Sequence, residues 1–224
     1  MRKLYSINAF SFLFVLIVFS SDSLSGQEII KDFDGNSYKT VTIGTQVWLA
    51  ENLRTTHYST GEPIPEMKDD SVWAEISTGA YCINNNDKNN SGIYGYLYNW
   101  YVVPNARKLC PAGWHVPSAN DWKKLETSLG GAGSAGGKMK EAGTTRWAGP
   151  NSEADNSSKF NGLPGGSRNS DGTFNVPGEN GHWWTTTEFS TTTAWRRQLY
   201  NNAGFIDNVY ALKNEGFSIR CVKD

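Results

Sequence analysis

The side chains able to do chemistry are few and scattered: cysteines at 82, 110 and 221, histidines at 57, 115 and 182, and isolated carboxylates. The histidines are too far apart in sequence to read as a zinc-ligand pattern, so no metal site is assigned to them. His115, between Trp114 and Val116, reads as a hydrogen-bonded structural histidine. Glu126, Glu141 and Glu188 offer no spacing that pairs them for glycoside hydrolysis, and neither a nucleophile elbow nor a phosphate-binding loop occurs. No catalytic residue is therefore assigned. What remains is binding chemistry. The run 84–90 is nearly all asparagine around Asp87, and Trp183-Trp184 is followed by Glu188. An indole face can stack on a sugar ring while amides and a carboxylate bond its hydroxyls. The same oxygens could act through calcium, which takes several oxygen ligands, although no EF-hand spacing is present. Asn85, Asp87, Asn89, Trp184 and Glu188 are the candidate ligand-binding residues. The competing reading makes the asparagines a solvated loop and the tryptophans core.

The elements that would position these groups centre on residues 109–126. Pro117 stops an extended element, Ser118 is a helix N-cap, and Asp121 three residues on can return a capping-box bond. Trp122, Leu125 and Leu129 then share one face, and Gly130-Gly131 end the helix, predicted over 118–129. That face needs a sheet. The expected one closes with a strand at 217–222, where Phe217, Ile219 and Cys221 share a side by alternation. Cys110 and Cys221 are the expected disulfide, closing a loop of about 110 residues worth roughly 4–5 kcal/mol on the chain-entropy account. Cys82 is then the free thiol; the alternative leaves all three as buried thiols.

Residues 1–25 read as a secretory signal peptide: Arg2 and Lys3 precede an apolar run from Ala9 to Phe19, and Ser23 and Ser25 offer a cleavage site. The run falls short of the ~20 apolar residues of a membrane span, and no later run approaches it. The expected location is outside the cytoplasm: secreted, periplasmic or at the cell surface. Without Arg2, Lys3 and Asp22, the 21 basic and 22 acidic residues leave a charge near −2, which gives nucleic acid or an anionic membrane no electrostatic footprint. With 23 glycines, 9 tryptophans and 10 tyrosines, the chain is loop-rich and packed with aromatics.

Along the chain, hairpin signals at Asp34-Gly35 and Gly44-Thr45 predict a β-meander ending near residue 54. A short amphipathic helix is expected at 71–76, a strand at 79–83, a loop at 84–92 and core at 94–103, where Tyr94, Leu97 and Tyr101 fit a helical stripe. A turn follows at 105–107. Residues 130–137 are glycine-rich, and 138–142 suit a short helix. The β pattern returns at 182–188, 194–200, 209–212 and 217–222. Because the first meander and the last strands are each incomplete alone, residues 26–224 are expected to form one α+β domain with mixed and antiparallel sheets, long loops and paired N- and C-terminal strands.

Five motifs stand in order: Asp34-Gly-Asn-Ser-Tyr38, Ile43-Gly-Thr-Gln-Val-Trp-Leu-Ala-Glu-Asn-Leu53, Cys110-Pro-Ala-Gly-Trp-His-Val-Pro-Ser118, Trp183-Trp-Thr-Thr-Thr-Glu188 and Gly216-Phe-Ser-Ile-Arg-Cys-Val222. Together they resemble the Fibrobacter succinogenes major paralogous domain, over residues 32–224. The closing motif is also similar to that of C-type-lectin-like and formylglycine-generating folds, which implies a lectin-like α+β domain. Formylglycine generation depends on a reactive cysteine pair near the C-terminal end, and only Cys221 lies beyond Cys110. The resemblance to a family from a fibre-degrading bacterium implies a non-enzymatic binding or adhesion module facing polysaccharide. A structural or protein-assembly role with a cell-envelope protein is the alternative, and a divergent enzyme on a formylglycine-generating-like fold the second.

Overall fold

The computed structural model describes residues 29–104, 107–175 and 177–224, together with Met1. Apart from Met1, the signal segment lies outside the described residues, as do positions 105 and 106 of the predicted turn. The first meander is formed by β1 (Ile29–Lys31), β2 (Ser37–Ile43) and β3 (Gln46–Leu49). Ile43 pairs with Gln46 across the two-residue Gly44-Thr45 turn. α1 (Asp70–Glu75), β4 (Tyr81–Cys82), α2 (Lys88–Tyr94) and β5 (Leu97–Tyr98) follow, then β6 (Trp114–His115), α3 (Ala119–Ser128) and α4 (Ala132–Met139). The last part holds β7 (Ser167–Arg168), β8 (Phe174–Asn175), β9 (Asn180–Glu188), β10 (Thr193–Tyr200), β11 (Ile206–Leu212) and β12 (Val222–Lys223).

The described strands form a five-stranded sheet in the order β1-β2-β3-β12-β6, a three-stranded sheet β11-β10-β9, and the pairs β4-β5 and β7-β8. The fold is α+β with antiparallel strand pairing throughout these sheets. Val222 faces Trp48 of β3 on one side and His115 of β6 on the other, so the chain's two ends meet in one sheet.

α3 forms as its sequence dictates. Ser118 Oγ accepts from Asp121 N–H, and Asp121 Oδ2 accepts from Ser118 N–H, completing the capping box. Trp122, Leu125 and Leu129 are buried, and Trp122 meets Trp48, Phe160 and Trp183 at ring separations of 5.0, 5.8 and 6.2 Å. Glu126 is buried as well and pairs with Arg197 of β10 at 2.8 Å, fastening the helix to the three-stranded sheet.

Three local expectations are corrected. The polar run 84–92 is not a loop: Asn84–Asn86 make a 3-10 turn and α2 starts at Lys88, because Asp87 caps it by accepting from Asn89 N–H. The stripe through Tyr94, Leu97 and Tyr101 does not form, since α2 ends at Gly95 with φ +75°, where a Cβ would lie 2.7 Å from the Leu53 carbonyl oxygen. The short helix expected at 138–142 lies earlier, at Ala132–Met139, within the glycine-rich stretch. α4 runs through it, and Gly136 lets its backbone approach Phe205, whose oxygen a Cβ would meet at 2.2 Å.

The closing segment also differs from a uniform strand. Only Val222–Lys223 is regular, while Phe217 bonds to Tyr98, Ser218 to His182 and Trp184, Ile219 O to Leu53 N and Cys221 O to Leu49 N. Every residue from 217 to 222 is buried because partners surround the segment.

Cys110 and Cys221 are joined, 111 residues apart in sequence, and Cys82 is a buried thiol. Burial pushes the Cys82 thiol up to about 12, which leaves it protonated and inert. Peptide mapping without reductant is expected to recover Cys110 joined to Cys221 and Cys82 free; Cys82 bonded to either would contradict this. Replacing both bonded cysteines by alanine should lower the unfolding free energy by about 4–5 kcal/mol in denaturant titrations.

Candidate functional site

β9 and β10 are joined by a tight turn in which Ser190 does the folding work. Its Oγ accepts from the backbone N–H groups of Thr192 and Thr193, and Phe189 N–H donates to Thr193 O at 3.0 Å. The turn does not bury Phe189, which is 51 % exposed. On the sheet beside it, Trp195 of β10 stands directly opposite Tyr210 of β11, and Thr193 opposite Leu212. Tyr210 is 52 % exposed, Leu212 is also exposed and Trp195 is half-buried.

Phe189 and Tyr210 stack with ring centres 4.3 Å apart and planes 6° from parallel. Trp195 meets them nearly at right angles, 5.0 Å from Phe189 and 5.9 Å from Tyr210. Those two distances differ by much less than the stack spacing. The indole therefore lies beside the pair and not on its axis, leaving the outer face of each ring clear of it. The result is a rigid aromatic platform at one end of the three-stranded sheet.

The other face of the sheet end is polar: Glu188 pairs across the strands with Ala194, so it stands on the opposite side from Trp195 and Tyr210. Glu188, next to Phe189, accepts at Oε1 from Lys213 Nζ at 2.6 Å. Lys213 also donates to Thr191 O at 2.9 Å and lies 4.5 Å over the Trp100 ring, so the ammonium is fixed. The second Glu188 oxygen has no protein donor among the described residues and is open to solvent.

The sequence-derived candidates divide. Glu188 is next to Phe189 in the chain but faces the other side of the sheet, where Lys213 holds it. Trp184 is fully buried, donates from Nε1 to Tyr98 O at 2.8 Å and packs 4.6 Å from Phe217. Its ring faces are spent on the core, which corrects its assignment as a sugar platform. Asn85 and Asn89 are exposed, but Asp87 is engaged as the α2 cap, and no hydrogen bond or ring contact joins this segment to Trp184 or Glu188 among the described residues. The platform residues Phe189, Trp195 and Tyr210 were not singled out from sequence. A usable signal was present: Phe189 is the sole apolar residue between Glu188 and Thr193, within the polar connection of a hairpin.

Elsewhere, His115 lies 2.6 Å from Asp224 through Nδ1 and 3.4 Å from Asp121 through Nε2, beside a cavity of about 210 Å³ bordered by Cys110, Trp114 and Thr186. The two carboxylates fix the orientation of its ring. No group of three or more His, Cys, Asp or Glu residues able to hold a metal ion is found among the described residues. No described helix is long and apolar enough to cross a membrane.

Comparison with known families matches the model of the Fibrobacter succinogenes major domain to residues 41–223. The chain belongs to that family. The matched span takes in the platform, the disulfide and the three-stranded sheet, and begins within β2, so that β1 lies outside it. Neither the curated proteins nor the solved structures give a match.

The platform and the core tryptophan should separate in stability measurements on this family member. Trp184→Ala is expected to cost about 3–5 kcal/mol, and Tyr210→Ala less than about 1 kcal/mol. Equal losses would show that Tyr210 belongs to the core.

Proposed function

We propose that this protein is a non-enzymatic binding module that holds polysaccharide against the Phe189–Trp195–Tyr210 platform outside the cytoplasm. The observation that carries the reading is the exposed, parallel pair of rings, Phe189 and Tyr210. A sugar ring has one face of C–H groups and a rim of hydroxyls. The C–H face gains by covering an aromatic plane, and the hydroxyl rim stays in water. Rings braced against one another lose little freedom on binding, which favours a flat, repetitive ligand.

The disulfide supports the extracytoplasmic part of the reading, since such bonds persist in oxidising compartments. The signal segment at 1–25 would direct export. The joining of the chain's two ends through β3 and β12 supports a C-type-lectin-like arrangement of residues 26–224 as one domain. Calcium is not required on this reading, because the charge of Glu188 is already balanced by Lys213.

The alternative is protein assembly at the envelope. β11 pairs with β10 on one side and stands at the edge of its sheet, where another strand could add.

Pull-down on cellulose, xylan, mannan and chitin, with calcium or with chelator, tests the proposal. At least one polymer should retain the protein in both conditions. Tyr210→Ala should weaken retention roughly tenfold, since a ring face covering on the order of 50 Å² is worth about 1.3 kcal/mol. Failure to bind any polymer, together with capture of one envelope protein, would replace the sugar reading with the assembly one.

A further inference from the structure

At the opposite end of β9 from the platform lies a second, polar cavity of about 170 Å³, lined by Gly166, Asn175, Glu179, Asn180 and His182. One water needs only ~10–15 Å³ of such space. The cavity therefore has room for a ligand of several heavy atoms.

His182 fixes its chemistry. The residue is 7 % exposed, and its Nδ1 lies 2.7 Å from Arg196 Nη1. A guanidinium can only donate, so Nδ1 must accept, and the imidazole proton sits on Nε2. Burial, reinforced by the Arg196 charge, holds His182 well below its usual range, so it stays neutral. No described residue accepts from Nε2–H.

The remaining walls are complementary to that donor. Asn180 Oδ1 accepts from Gln198 Nε2 at 3.3 Å, which leaves the Asn180 amide protons for a ligand. Asn175 donates both amide protons, to Ser167 Oγ at 3.0 Å and Asn169 Oδ1 at 2.8 Å, which leaves its Oδ1 as an acceptor. Glu179 adds an exposed carboxylate with no described side-chain partner. The wall is itself anchored, since Asn84 Nδ2 donates to Gly165 O and Asn175 O at 2.9 and 3.0 Å.

Charge selects the ligand. Arg196 behind His182 disfavours a cation or a metal ion, and Glu179 disfavours an anion. A neutral ligand that both donates and accepts around its rim satisfies all four groups. We propose that the cavity between His182, Asn175, Glu179 and Asn180 binds a single neutral sugar ring, either free or at the end of a glycan chain. This does not rest on the aromatic platform.

The test is nuclear magnetic resonance on the full folded chain, with glucose, galactose, xylose and N-acetylglucosamine, their tetrasaccharides, and glucuronate as the charged control. At least one neutral sugar should saturably shift the His182 Nε2–H and Asn180 side-chain amide signals. A monosaccharide and its tetrasaccharide acting alike would identify a chain end, and the monosaccharide acting alone a free sugar. Glu179→Ala, at an exposed position, should leave the fold intact and weaken binding about tenfold. Tyr210→Ala should leave this binding unchanged, which separates it from the platform. The proposal is overturned if no neutral sugar shifts these signals, if glucuronate saturates them equally, or if Glu179→Ala has no effect.

Discussion

The structure depends on a buried cation held by carbonyl oxygens. Arg220 is fully buried, and Nε and Nη2 donate to Asn52 Oδ1 at 3.2 and 2.7 Å. Nη1 donates to Leu49 O at 3.1 Å and Phe160 O at 2.6 Å, and the guanidinium lies 4.2 Å over the Phe160 ring. Asn52 also receives Trp183 Nε1–H at 2.8 Å and sends its own amide protons to Tyr94 O and Ser218 Oγ. One arginine and one asparagine thus join the end of the meander, the end of α2, the 160 loop, β9 and the closing segment. A buried charge is costly unless every donor is engaged. The site is therefore satisfied only when all five parts are in place, and that makes it a check on the whole assembly.

Lys140 and Arg168 repeat the device. Lys140 Nζ donates to the carbonyls of Ser152, Tyr200 and Ala203, and Arg168 to those of Gly172, Met67 and Lys68 and to Asp70. Both side chains are buried among connections that lack regular hydrogen-bond ladders. In a chain with long loops, carbonyls that no helix or sheet satisfies must find donors elsewhere. Long cationic side chains supply several donors from one position, which explains how irregular backbone is held inside the fold.

This also explains what was legible in the sequence. α3, its capping box and the disulfide were readable because they follow local rules of spacing and pairing. The closing motif was read by alternation, which put Phe217, Ile219 and Cys221 on one side, yet Ser218 and Arg220 are equally buried. Alternation assumes one wet face, and this segment has none. Trp183-Trp184 misled for a similar reason. An aromatic beside polar threonines suggests a surface, but Thr185 is itself fully buried, with its hydroxyl bonded to Trp195 O. Which aromatics face water was set by distant packing, and the spacing of neighbours does not record it.

The contrast between the two aromatic groups gives the platform its meaning. Trp48, Trp122, Phe160 and Trp183 meet one another in the interior and have no exposed face to offer. Phe189 and Tyr210 have no comparable role in the fold. The β9–β10 turn is closed by Ser190 and the backbone, and β11 keeps its register through bonds to β10. A polar residue at either position would satisfy the same backbone and remove apolar surface from water. Single exposed aromatics are ordinary, but two held parallel with a third braced against both form an ordered apolar surface, and the directly opposed Trp195 and Tyr210 also stabilise the pairing of β10 with β11.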